Sequence, residues 1–371
     1  MAKVVHLTSV HPPFDVRIFY KECKTLAQAG YEVVLIAPHT QDEVVEGVRI
    51  RAVPKSKNRL QRMFGVAPQV VCLGFKEKAA AYHLHDTELL PWAQFLRLRR
   101  CRIVYDMHEN VPKAILTKHW IPPMLRKTIA RVLKLVERIF LAGMHVVFAE
   151  HSYQKDYPWL PRGTVILNMP RIEALSGVRE SKYPTPTVAY MGGVTAVRGS
   201  LLTLYALHIL QQRGKQVNWE CIGPLTRPHE QELRALMTAL RLEGVTFRGY
   251  MLPQEGWRIV SRCHIGLAVL QPIPNYVDSY PTKLFEYMAL GLPLITSDFP
   301  LYREIVEGSR CGLCIPFGDP QPLAESIEWL LEHPDEAEAM GKRGQEAVRT
   351  RYNWDVEAKK LLALYRSLSL D

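Results

Sequence analysis

Short apolar runs alternate with segments of helical periodicity from one end of this chain to the other, and that alternation restricts the fold to parallel sheets wrapped by helices. Residues 3–8 are predicted as a strand, 18–29 as a helix stopped by Gly30, and 32–37 as a second strand. Further strands are expected over 48–53, 81–85, 103–106, 146–149 and 164–167. After a polar, proline-containing stretch at 180–186 the pattern begins again with a strand over 187–191, a glycine turn, a helix over 200–213 and a strand over 218–222. Strands over 245–248, 265–269, 294–297 and 312–315 complete it. A pattern run through twice in 371 residues predicts two Rossmann-like α/β domains. These are placed at residues 1–175 and 176–353, with a last helix over 354–371 crossing back to the first. Two such sheets facing each other across a cleft would bind ligands at the carboxyl ends of their strands, so the chemistry is expected at strand-to-helix turns.

Composition narrows the partners. A hydrophobic content of 47% with 23% charged residues is ordinary for a packed protein. The opening MAKVVHLTSV lacks a secretory pattern, and no apolar run reaches the ~18 residues of a membrane span, so cytoplasmic residence is expected. Seven cysteines scattered along the chain are no disulfide framework, and the single CxxC at Cys311 and Cys314 has no second pair, so no metal is assigned there. The net charge of +10 admits phosphorylated small molecules or an anionic membrane. Nucleic acid is not expected, since none of its binding motifs is present. The segment 118–138, from Lys118 to Arg138, reads as an amphipathic helix with Leu125, Ile129, Val132, Leu133 and Val136 at helical spacing among Arg126, Lys127, Arg131 and Lys134. Such a helix either lies on an anionic membrane at the inner face of the cell or is an ordinary surface helix with a basic solvated side.

Two turns carry the chemistry. Gly192 and Gly193 between a strand and a helix let backbone approach a phosphate, the following helix N-terminus offers N–H groups, and Arg198 adds a fixed positive charge. In the second turn, Thr282 is placed to cap a helix ending at Gly291, which puts Lys283 in the first turn, where a cation is disfavoured unless an anion is bound. Glu286 follows one turn later, free either to pair with Lys283 or to meet hydroxyl groups, and Asp278 lies in the loop before the helix. In the first half, Asp15 and Arg17 fall in the first strand-to-helix loop as site residues or as a local ion pair. His85, Asp86, Glu88, His108 and Glu109 follow later strands.

The segment PTKLFEYMALGLPLITSD, residues 281–298, resembles the donor-site signature of the retaining family 4 glycosyltransferases, and GGVTAVRG, residues 192–199, resembles their diphosphate loop. HLTSVHPPFDVRIFYKECKTLAQAGYEVVLIAP, HDTELLP and VYDMHEN resemble the first half of bacterial members. The resemblance implies the GT-B architecture and transfer of a sugar from a UDP- or GDP-sugar to a glycan, a lipid-linked or another hydroxyl acceptor, with no cofactor or metal required. It implies that Arg198 and Lys283 bind the diphosphate beside Gly192, Gly193 and Leu284, that Glu286 takes the ribose hydroxyls, and that His108 stands beside donor sugar and acceptor. Asp278 occupies the first acidic position of the Glu-x7-Glu pattern with a shorter side chain, and Gly193 stands where many members carry an arginine directly after the glycine. Asp15, Arg17, Asp86 and Glu109 are placed on the acceptor side. The rival readings are a non-catalytic nucleotide-binding subunit of the same fold, a sugar-nucleotide epimerase, and a membrane-surface scaffold.

Overall fold

The computed structural model describes residues 1–116 and 121–368. The chain divides into two compact units, Met1–Asn168 with Trp354–Asp371, and Met169–Asn353. The first division thus falls seven residues before the expected 175/176, because the strand-like stretch after residue 165 is held by first-unit groups. Leu167 N–H donates to Glu357 (2.9 Å), and Lys21 reaches the Asn168 side chain (2.6 Å).

The first unit is an eight-stranded sheet. Its strands are β1 (Lys3–Leu7), β2 (Glu32–Pro38), β3 (Glu43–Val45), β4 (Val48–Val53), β5 (Ala81–Leu84), β6 (Arg102–Met107), β7 (His145–Phe148) and β8 (Gly163–Val165). Their order is β3-β4-β2-β1-β5-β6-β7-β8. Only β3, which the sequence pattern does not mark, is antiparallel, paired with β4 as a short edge. Without β3 and β8 the order is the doubly wound one, reversing direction between β1 and β5. Val5, Leu7, Tyr82 and Leu84 face one core; Val4, Ala81 and Val104 face the other, which Ile18, Phe19, Trp354 and Tyr365 close. The terminal helix Trp354–Ser367 therefore belongs to the first sheet, held by a Trp354 Nε1–H bond to Thr25 (2.9 Å).

The second unit repeats the plan with β9 (Thr187–Met191), β10 (Asn218–Ile222), β11 (Val245–Gly249), β12 (Ile265–Ala268), β13 (Leu294–Ser297) and β14 (Gly312–Ile315), ordered β11-β10-β9-β12-β13-β14 and all parallel. The direction reverses between β9 and β12. Continuous apolar runs such as Leu294–Ser297, buried on both faces, are what a helix-covered parallel sheet demands.

Two helices depart from their predicted form. The first begins as a π-helical stretch over Ile18–Cys23, with Tyr20 N–H donating to Asp15 O and Glu22 N–H to Arg17 O, and becomes α-helical only over Lys24–Gln28. The basic helix spans Pro123–Leu141, since Pro122 holds an extended backbone and Pro123 supplies the first turn. Lys118 lies outside the described residues. Nor are its apolar residues one face. Ile129, Leu133 and Val136 are half-buried, while Met124, Leu125, Val132, Leu135 and Ile139 are exposed in a separate stripe beside exposed Lys127, Arg131, Lys134 and Arg138. Among the described residues no helix is long and apolar enough to cross a membrane.

Candidate functional site

Each sheet gathers its polar residues where its strand order reverses, and the two gatherings differ in character. In the second unit, β9 ends at Met191 and the chain turns through Gly192 at φ 135°, a conformation that side chains avoid. A Cβ on Gly192 would stand 2.9 Å from Lys283 Nζ, so the missing side chain is what admits the lysine. Lys283 is buried, and its ammonium lies 3.8 Å from the centre of the Tyr190 ring. The Tyr190 hydroxyl in turn donates to Gly193 O (2.9 Å), which fixes the glycine turn around the cation. Arg198 follows in a short helical turn; its Nε donates to the Tyr276 hydroxyl (3.0 Å), and its guanidinium also reaches Gly193 O (3.4 Å). Gly199, at φ 80°, allows the helix Ser200–Gln212 to start against Val269 O, where a Cβ would clash at 2.3 Å.

Burial, and then the charge of Arg198, pushes Lys283 down from 10.5 to about 7, while Glu286 acts in the opposite sense. An amine of that pKa beside an arginine is poised to gain a proton when a polyanion arrives. The helix Thr282–Ala289 begins at Pro281, which lacks a capping side chain; Thr282 is the first helical residue, not the cap expected from its type. Leu284 is fully buried and its N–H donates to Pro281 O (3.0 Å), so its side chain anchors the helix rather than facing the turn. Glu286 is half-buried, and Asp278 is exposed where the short helix Pro274–Val277 ends. The structure thus brings Gly192, Gly193, Arg198 and Lys283 together and adds Tyr190, an aromatic near the end of β9, and Tyr276 in the short helix Pro274–Val277, neither of which the motif marks.

In the first unit the reversal lies between β1 and β5. Asp106 is buried and receives a bidentate pair from Arg17, Nε to Oδ2 and Nη2 to Oδ1, both 2.7 Å. Burial alone would raise this carboxyl, but Arg17 and then His108 hold it well below the carboxylate range. His108 Nε2 lies 3.0 Å from Asp106 Oδ2. An ionised carboxylate only accepts, so Nε2 carries a hydrogen and donates it to Asp106. Arg17 is therefore not the ion-pair partner of Asp15: Asp15 accepts the N–H groups of Arg17 (2.8 Å) and Ile18 (3.0 Å) and faces His11 (3.3 Å). Asp86 ties down the loop after β1 by accepting from Thr8 Oγ1 (2.9 Å), Ser9 N–H (2.6 Å) and Val10 N–H (3.2 Å). Glu88 accepts from Ser9 Oγ (2.8 Å) and Arg62 (2.6 Å). The His11 ring stacks 5.4 Å from His108. Glu109 is exposed beyond this group.

Behind these residues sits a buried cluster of which the sequence marks only His85 as a candidate; His6 and His83 read as strand interior and Glu22 as part of a helix. His6 on β1 is paired in register with His83 on β5; His85 and Glu22 complete the group. Burial, and next the neighbouring His85, keeps His6 and His83 well below the imidazole range, while burial pushes the Glu22 carboxyl well above its own. All seven cysteines are free thiols, and burial raises Cys311 to about 12 and Cys314 to about 11.

Comparison with known proteins assigns the chain. Residues 173–347 match the model of the group 1 glycosyl transferases, and residues 16–157 match that of glycosyltransferase family 4. A phosphatidyl-myo-inositol mannosyltransferase of Mycobacterium leprae is 27% identical over 294 residues, which cover 77% of this chain and 73% of that protein. Among solved structures, sucrose-phosphate synthase of Thermosynechococcus elongatus superposes with a TM-score of 0.77 at 16% identity, over 100% of this chain and 99% of its own. HepE of Anabaena, solved in complex with UDP-glucose, gives 0.72 at 15% identity over 99% and 100%. With both halves matched in this way, the chain belongs to the group 1, family 4 glycosyltransferases and is an enzyme of the GT-B fold.

Proposed function

We propose that the protein is a retaining glycosyltransferase that moves a sugar from a UDP- or GDP-sugar to a hydroxyl of a glycan or lipid-linked acceptor. The observation that carries this reading is the turn after β9, where a buried lysine and an arginine are held by aromatic partners around a glycine that leaves room for them. When the bond between sugar and nucleotide breaks, negative charge develops on the departing diphosphate; Lys283 and Arg198 are fixed in advance where they stabilise it. Glu286, one turn along the same helix, takes the ribose hydroxyls, and Asp278 approaches the sugar ring. His108, with its proton held on the Asp106 side, serves the acceptor. Attack occurs on the face the diphosphate leaves, and the departing phosphate removes the acceptor proton, which retains the anomeric configuration. The uridine nucleotide bound by HepE favours UDP within this choice.

A thermal-shift screen of UDP, GDP, CDP, ADP and dTDP tests the reading, because a ligand that binds only the folded state raises its stability. One nucleotide is expected to raise the melting temperature by several degrees, and the shift should vanish in Glu286→Ala as well as in a Lys283 variant. No shift with any of the five would remove the donor assignment.

The acceptor side of the proposal includes an anionic membrane at the inner face of the cell. The exposed stripe Met124, Leu125, Val132, Leu135 and Ile139 on Pro123–Leu141 is large and apolar, and the cations beside it match acidic lipid headgroups. Wild type is expected to float with vesicles containing phosphatidylglycerol and not with phosphatidylcholine alone. The exposed double substitution Leu135→Glu/Ile139→Glu should cut the bound fraction at least about tenfold without a change in melting temperature. Equal flotation with both lipids would exclude this surface.

A further inference from the structure

Four ligating side chains converge in the core of the first unit without a complete set of hydrogen bonds. His6, Glu22, His83 and His85 are buried, and they each offer one ligand atom such that all four atoms lie within 4.8 Å of one another. The three imidazole rings are mutually adjacent, with centres 4.6 to 5.1 Å apart. Glu22 Oε2 stands 3.9 Å from His83 Nδ1 and 3.9 Å from His85 Nε2; His6 Nδ1 stands 2.9 Å from His85 Nε2. Protein interiors leave few polar atoms unsatisfied. Among the described residues, eight buried side-chain atoms lack a hydrogen-bond partner, and four of them are in this group: His6 Nε2, both Glu22 oxygens and His83 Nε2.

We propose that His6, Glu22, His83 and His85 form a structural site for a divalent transition metal, with zinc the best match to three imidazoles and one carboxylate. A tetrahedral zinc with ligands at ~2.0–2.1 Å sets them about 3.4 Å apart, so the pairs at 2.9 and 3.9 Å need to move by about half an ångström and the widest, within 4.8 Å, has to close by up to about 1.4 Å. Charge permits it. Arg17 makes its bidentate pair with Asp106 and its Nε also stands 3.2 Å from Glu22 Oε1, so Glu22 would meet the ion through Oε2. Outer contacts of the expected kind are present as well: Asp106 lies beside His85, and the Tyr365 hydroxyl, 2.9 Å from His83 Nδ1, leaves the unpartnered Nε2 as the ligating nitrogen of that ring. The four residues come from β1, the π-helical stretch and the chain at and just beyond β5, and His83 touches the terminal helix through Tyr365. An ion here would fasten those pieces together from inside the core. The site lies behind His108 and has no open face to a substrate, so its role is structural.

The experiment is metal analysis of the tag-free full chain expressed in zinc-supplemented medium, followed by chelation with dipicolinate and titration with Zn2+ and with Co2+. About one equivalent of zinc per chain is expected, together with a fall in melting temperature on chelation that Zn2+ reverses, and the visible d–d absorption of four-coordinate Co2+. The near-isosteric Glu22→Gln and His83→Gln should each lower metal affinity at least about tenfold. Wild type that folds without metal, takes up no Co2+ and melts unchanged by chelator or zinc overturns the proposal. So does uptake by both variants equal to wild type, which would place the ion elsewhere. Should the variants fail to fold, the wild-type cobalt titration decides on its own.

Discussion

Lys283→Met is expected to abolish stabilisation by the donor nucleotide while leaving the unliganded enzyme as stable as wild type or more so. The two halves of that expectation have one cause. Lys283 is buried against Tyr190 and close enough to Arg198 to feel its charge, so the empty site carries an ammonium that gains little and costs desolvation. Methionine fills similar volume without the charge. With the diphosphate bound, the same ammonium makes a charge-assisted contact out of water, for which roughly 3 kcal/mol, or about a hundredfold in affinity, is a fair expectation. Isothermal titration with UDP and GDP, alongside denaturant unfolding of the free enzyme, measures both. A lysine that merely held the fold together would lose stability on substitution and keep its nucleotide affinity, and that pattern would sink the assignment.

The same residue sets a pH dependence. In the free enzyme Lys283 is half-protonated near pH 7, and a bound diphosphate holds the proton more tightly. Nucleotide affinity should therefore be flat below pH 7 and fall by up to about tenfold per pH unit above it, with proton uptake on binding at pH 8 seen as a dependence of the observed heat on buffer ionisation enthalpy. For the free enzyme the sign reverses. The folded pKa of about 7 lies below the unfolded 10.5, so between those values the unfolded chain binds more protons and stability rises with pH. Affinity that does not change between pH 7 and 9 would mean that Lys283 is charged before the ligand arrives.

How far the sequence led depends on whether a feature is local. The alternation of apolar strands and helices is local, as are the stops at Gly30 and Gly291; it marked thirteen of the fourteen strands and both sheets. The one omission, β3, is three residues of edge strand with a single partner. The glycine turn after β9 was legible for the same reason: Gly192, Gly193 and Arg198 are close in sequence, and Lys283 and Glu286 share one helix. The first unit's polar core was not. Arg17 meets Asp106 across 89 residues, His6 meets His85 across 79, and His83 meets Tyr365 across 282. Within KVVHL and AYHL a histidine reads as one more strand residue, and only the sheet order that sets β1 beside β5 turns two such strands into a cluster. The basic helix shows the converse limit. Its periodicity located an amphipathic helix correctly, yet a helix with one packed stripe and a second exposed apolar stripe has a pattern that one-face reasoning merges.

The largest stability effect is expected at the centre of that first-unit network. Arg17→Met should cost roughly 3–5 kcal/mol, because the carboxylate of Asp106 would remain buried with its bidentate partner gone, and Ile166 O would lose two donors at 3.1 Å. Asp106→Asn alone should cost a similar amount, by taking the bidentate partner from the buried guanidinium and leaving it only Glu22, 3.2 Å away. The double substitution should cost clearly less than the sum, since a methionine beside a neutral amide leaves no buried charge; a coupling energy of about 2 kcal/mol or more is the signature of the pair. Urea unfolding of the four proteins at one pH supplies the cycle. Additive losses, or a loss below about 1 kcal/mol for Arg17→Met, would show that the pair is solvated in solution. The functional consequence is separate. Asp106 also holds the Nε2 proton of His108, so Asp106→Asn should lower kcat more than it raises KM even at temperatures where the variant is fully folded, whereas Arg17→Met, which spares the carboxylate, should be the milder of the two in kcat and the equal of it in stability.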